Sequence, residues 1–351
     1  MTELDQALNR FCSCAPEFAG GLSNHGPMVA EALHALGHDA LIAAWVDVYA
    51  PRLEEDEAGK VLPSPDRIAA LGNGDFADWR ATFREEVESS PWQRVARDWL
   101  PILLPGYFAG AMHGPIRAAH AIRALEEEDN EDRRNEFAGA FGYWAGGFRG
   151  LPGDPGASPR PGCGVQEVLA EVPVIDPARR SGGFLVDAVR VLDKEDAFSR
   201  VLAAADLAAS EPIDQVARIC AEVAGLYLRN PDARIAYIHA LTGPAALRLL
   251  ADYLGEVDLR KGAGFALQSA ASLHATFFED RAAAAPDPQQ EELASSWDEL
   301  RYRAACSLEE HVIKFTEACW REDRAHPHPV FALAAADAVL NLGVSRGGIG
   351  G

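Results

Sequence analysis

The chain has 351 residues, 48% of them hydrophobic and 24% charged, a composition that supports a large core and a soluble globular fold. Its 53 acidic residues outnumber 32 basic ones, and the formal net charge of −21 repels nucleic acid and anionic membrane surfaces. No apolar run of roughly 18 residues or more appears, so no transmembrane helix is expected.

The acidic start, Met1 to Gln6, carries no apolar signal region, and a cytoplasmic location is expected. The six cysteines are sparse for the length and read as reduced thiols. The spacing predicts a short helix over Leu4–Phe11 and a glycine-containing loop over Ala15–Gly26. A helix over Pro27–Leu36 follows, with proline in its first turn and Gly37 past its end. A second helix, Leu41–Tyr49, stops before Pro51, and a polar loop holds Pro63 and Pro65. Helices are expected over Asp75–Val87 and Trp92–Leu104, the latter kinked or ended by Pro101 and Pro105. Met112–Leu125 and Glu131–Trp144 continue the pattern.

Residues 146–164 are rich in glycine and proline and read as a surface excursion within one domain spanning 1–351. Val172–Asp176 is the one convincing extended stretch. Helical spacing returns over Gly183–Leu192, Ala197–Ala208, Ile213–Leu228, Pro244–Tyr253 and Ala263–Phe278. Gln289–Trp320 reads as one long helix or two joined ones, Pro329–Leu342 as the last helix, and Gly347–Gly351 as a loose tail. The fold class is all-α, a single large multi-helical domain.

Lysine is rare: Lys60, Lys194 and Lys261 lie in polar, turn-like surroundings, and only Lys314 lies in an apolar helical segment, three residues after His311. On a helix these two project from one face. A lysine there can snorkel to solvent and the histidine can bond a backbone carbonyl. Alternatively, burial lowers the amine's pKa by up to ~3–5 units, leaving a neutral base or a group that combines with carbon dioxide to a metal-binding carbamate.

His25 and His113 each precede a Gly-Pro pair, and His239 is read as ending one segment before the next starts at Pro244. With His311 they form a recurring set. Imidazoles from several helices converging on one point are a usual way to build a metal site in a helical fold. Singly, a histidine before Gly-Pro also serves as a helix cap or turn filler. His120 and His274 lie on amphipathic helices as core residues or reserve ligands. No HExxH, CxxC pair, Walker loop, GxSxG elbow or post-strand GxGxxG is present, so a nucleotide-binding domain is not supported.

The residues Asn24-His25-Gly26-Pro27-Met28, Glu31-Ala32-Leu33, Leu36-Gly37, His113-Gly114-Pro115-Ile116-Arg117, His239-Ala240-Leu241-Thr242 and Glu310-His311-Val312-Ile313-Lys314, in that order, resemble the questin oxidase-like family. The resemblance implies an oxygenase of polycyclic aromatic polyketides, working by Baeyer–Villiger-type insertion or by oxidative ring cleavage. It also implies a non-haem Fe(II) held by His25, His113, His239 and His311, with Lys314 as a carboxylated ligand. Arg117, one turn after His113, is a candidate to neutralise a substrate phenolate, and Trp144, Phe148, Phe277 and Phe278 are candidate aromatic walls.

Two alternatives stand beside this reading. One is an oxidoreductase without bound metal that depends on NADPH or a partner reductase. The other is a non-catalytic binding protein for a polycyclic aromatic. The expected partners are an aromatic small molecule and dioxygen, with no nucleic acid or membrane, and homodimerisation is left open.

Overall fold

A computed structural model describes residues 1–279 and 287–343. Among the described residues the chain forms seventeen α-helices, several 3-10 turns and one hairpin of two-residue strands, an all-α architecture. The expected tail over Gly347–Gly351 lies outside the described residues. No helix among them is long and apolar enough to cross a membrane.

The helices that matter most are Gly26–Ala35, His113–Glu127, Arg234–Leu250 and Glu310–Ala325. Each packs against the next in that order, and the last packs against the first. The set therefore closes on itself. Arg234–Leu250 is buried on nearly every side, as an almost uniformly apolar helix must be. Pro212–Arg229 and Glu256–Phe277 cover its other faces.

Two apolar clusters share these helices. Val312 and Phe315 join the larger cluster, while Ile313 joins a smaller one with Leu4, Val29, Trp45 and Tyr49. Trp79, Phe83, Trp99, Phe137 and Phe141 stack edge-on or face-on at the far side of the larger cluster. Such aromatic pairs contribute about 0.5–1.5 kcal/mol each beyond their buried area.

Five expectations are corrected. The helix expected to begin at Pro244 begins at Arg234 and runs through the proline to Leu250. An internal proline costs about 3 kcal/mol, and full burial of the surrounding turns offsets it here. Residues 289–320 hold three helices rather than one or two: Pro288–Ala294, Trp297–Ala305 and Glu310–Ala325. Ser296 accepts from the Glu299 amide and Glu309 from the His311 amide, so two capping side chains restart the helix. Gly183–Leu192 contains only a short α-helix, Leu185–Ala188, before a 3-10 stretch. Val172–Asp176 has no strand partner, and the Ile175 amide instead donates to the Ala275 carbonyl. The strands that do form, Glu17–Phe18 and Leu22–Ser23, lie in the segment expected to be loop.

Candidate metal centre

The sequence places each histidine by a different local device. His25 is the residue preceding the Gly26–Ala35 helix, and Gly26 is needed there: a Cβ would sit 2.6 Å from the Phe11 ring. His113 opens its helix immediately after Gly110, Ala111 and Met112, three successive residues with φ of 55°, 54° and 72°. Left-handed backbone at two non-glycine residues is strained. His239 projects from the second turn of Arg234–Leu250. That helix is pressed onto the strained turn so closely that a Cβ on Gly243 would lie 2.2 Å from Met112 Sδ. His311 sits in the first turn of Glu310–Ala325, with Lys314 three residues on.

The four imidazoles form a closed ring in the same order as their helices. Centroid separations are 4.6 Å for His25–His113, 4.7 Å for His113–His239, 5.4 Å for His239–His311 and 4.9 Å for His311–His25. Lys314 is 3% exposed, and among the described residues its ammonium has no hydrogen bond or ion pair. Its amine is therefore sheltered from solvent.

Hydrogen bonding fixes the tautomers of three rings. His113 Nδ1 donates to the Gly110 carbonyl at 2.5 Å, His239 Nδ1 to the Ile235 carbonyl at 2.7 Å and His311 Nδ1 to a Glu309 carboxylate oxygen at 2.7 Å. A carbonyl or carboxylate only accepts, so each Nδ1 carries the hydrogen and each Nε2 presents a lone pair. Ligating histidines are held in this way by carbonyls and carboxylates behind them. His113 Nε2 and His239 Nε2 are 3.3 Å apart. Two neutral imidazoles in these tautomers turn lone pairs toward each other, and only a proton or a cation between them relieves the repulsion. Burial disfavours the proton: it pushes His25, His113 and His239 well below the ordinary histidine range, and the nearby Lys314 charge adds to this. Burial likewise lowers Lys314 to about 7, against the opposing pull of Glu310 and Glu309. Imidazole nitrogens suit iron, zinc or copper, and among the described residues the ligand atoms that lie within 4.8 Å of one another belong to His25, Glu310 and His311.

The other candidates are placed elsewhere. Arg117 reaches the Glu131–Gly146 helix, where Glu136 takes its guanidinium in two bonds of 2.7 and 2.8 Å. Its charge is therefore already matched, which removes it as a free partner for a phenolate. His120 bonds Glu31 in a buried network with Arg123 and Glu317, and His274 bonds the Tyr237 hydroxyl. Neither joins the ring. Trp144 donates to the Gly106 carbonyl and packs on Tyr107, Phe148 packs on Gly106, Phe277 lies under Arg180 and Phe278 against His274. Trp144 is thus part of the larger core cluster, and Phe148, Phe277 and Phe278 are half-buried against it.

One residue beside the ring carried no sequence signal as a ligand. Glu310 offers a carboxylate oxygen within 4.8 Å of ligand atoms of both His25 and His311. A glutamate in the first turn of a helix is so common that its type and position mark nothing.

Compared with known proteins, the chain matches no family model, no curated sequence and no solved structure.

Proposed function

We propose that the protein is a non-haem iron oxygenase in which His25, His113, His239 and His311 hold the metal. The observation that carries this reading is the pair of Nε2 lone pairs 3.3 Å apart on His113 and His239, in a four-imidazole ring in which His25, His113 and His239 are buried and His311 is partly exposed. Iron held by these histidines would supply a centre for activating dioxygen. The resemblance to questin oxidase-like proteins points to a phenolic polycyclic polyketide as that substrate and assigns Lys314 as a carbamate.

The chain's own residues do the rest. The Gly110 and Ile235 carbonyls and Glu309 hold three rings at fixed tautomer and angle, which saves reorganisation when a cation binds. Ile116, Ala119, Ala246 and Ala318, which line a small cavity with Lys314, exclude water and keep its amine available as a neutral nucleophile toward carbon dioxide.

The test is metal analysis of protein purified without chelator, with oxygen uptake measured on an anthraquinone-type phenol. About one iron per chain, lost in His113→Ala and His239→Ala, and substrate-dependent oxygen uptake are expected. Uptake without an added reductant indicates ring cleavage, in which both oxygen atoms enter the product. A requirement for NADPH indicates insertion of one atom, with two electrons supplied from outside. Protein that takes up no transition metal overturns the reading.

A further inference from the structure

We infer that Glu310 is a carboxylate ligand of the same ion, bound on the side of the ring shared by His25 and His311. This rests on the metal reading above and adds an anionic oxygen donor to it.

Three observations converge on this position. Ligand atoms of His25, Glu310 and His311 lie within 4.8 Å of one another, close enough for one cation. His25 is 5% exposed and its Nδ1 is buried with no hydrogen-bond partner, so one nitrogen of that ring has no acceptor or donor in the protein. A buried polar atom without a partner costs about 1–3 kcal/mol, and it persists where something else satisfies it. His311 Nδ1 is bound to Glu309, which leaves its Nε2 for the same point.

Glu310 itself is short of partners. Its side chain is 13% exposed, among the described residues it accepts no hydrogen bond, and its one ion pair is with Arg52, with Nη1 3.7 Å from Oε2, while the Lys314 amine lies within reach of its charge. Arg52 is 47% exposed and lies over the Phe18 and Tyr49 rings, so it holds the carboxylate weakly and from the solvent side. Charge favours the assignment as well. A dication among four neutral imidazoles is balanced by two anions, and the proposed Lys314 carbamate supplies only one of them.

The experiment titrates Co(II), as the metal alone, into metal-free wild type, Glu310→Gln, Glu310→Ala and His239→Ala, following both the visible d–d absorption and the heat of binding. Melting curves confirm that each variant is folded. The inference expects both Glu310 variants to bind at least ~10-fold more weakly than wild type and with an altered absorption band. Wild-type affinity and an unchanged band in the Glu310 variants, with binding still lost in His239→Ala, overturns the Glu310 assignment and leaves the four-imidazole site standing. No binding by wild type overturns both. If Glu310→Gln is unfolded, Glu310→Ala decides, since it removes the carboxylate without adding another donor.

Discussion

His113 Nδ1 donates to the carbonyl of Gly110, three residues earlier, at 2.5 Å. The bond is possible because Gly110, Ala111 and Met112 are all left-handed, which turns the carbonyl back over the helix start. Strain in the backbone and orientation of a candidate ligand are thus the same local feature.

Substitution at Ala111 tests this. A β-branched residue tolerates left-handed backbone badly, so Ala111→Val is expected to lower stability by about 2 kcal/mol or more. Ala111→Gly relieves the backbone but frees the unfolded chain, and the two effects should leave stability within ~1 kcal/mol of wild type. Urea unfolding midpoints of the two variants check the order.

Glu31 gives an acid-side prediction. Burial pushes its carboxyl up, but Arg123 and His120 overcome this and hold it at about 2, below its ordinary 4.5. Its stabilisation is complete above the unfolded value and is lost as pH falls from about 4.5 toward 2. Glu31→Gln leaves Arg123 with Glu317 alone and is expected to cost roughly 3 kcal/mol at pH 7. The gap between variant and wild type should narrow by pH 3, as read from urea unfolding at the two pH values.

Lys314 gives the opposite kind of prediction. Its amine falls from 10.5 in the unfolded chain to about 7 when buried. The folded state then resists protonation, so stability is fullest above pH 10.5 and declines as pH drops toward 7. In metal-free protein, Lys314→Met should be more stable than wild type by on the order of 4 kcal/mol at pH 7. The advantage should shrink at pH 9.5. Equal stability at both pH values would show that the amine is not sheltered.

Arg117 and Glu136 are expected to behave as a structural pair. Arg117→Met strands a buried carboxylate and should cost about 3–5 kcal/mol, while Arg117→Met with Glu136→Met should recover most of it. Neither should change Co(II) affinity. A double-mutant cycle with metal titrations separates this role from one in the centre.

Much of the helical plan is legible because apolar residues recur at helical spacing on long amphipathic segments such as Ile213–Leu228. His25 and His113 are legible for a related reason, since Gly-Pro after each marks a helix start that needs close backbone approach. His239 joins the ring by another route. Pro244 reads as a break, yet a helix buried on nearly every side tolerates it, so His239 projects from a helix interior. The capping roles of Ser296 and Glu309 were hidden because the apolar spacing runs on through them. Glu310 was not legible as a ligand at all: only the fold brings His25 beside it. Arg117 shows the converse, where a spacing that suggests a site residue is absorbed by a partner 19 positions away.

The ring closes only where the Gly26–Ala35 helix meets the Glu310–Ala325 helix. During synthesis, His25, His113 and His239 leave the ribosome well before His311, and until then they form an open arc. Joining such distant segments is slow, although chain entropy charges only about 0.6 kcal/mol for each doubling of the loop. On the proposed metal reading, an ion met by the unfinished polypeptide would find an incomplete set of donors until the last long helices have docked.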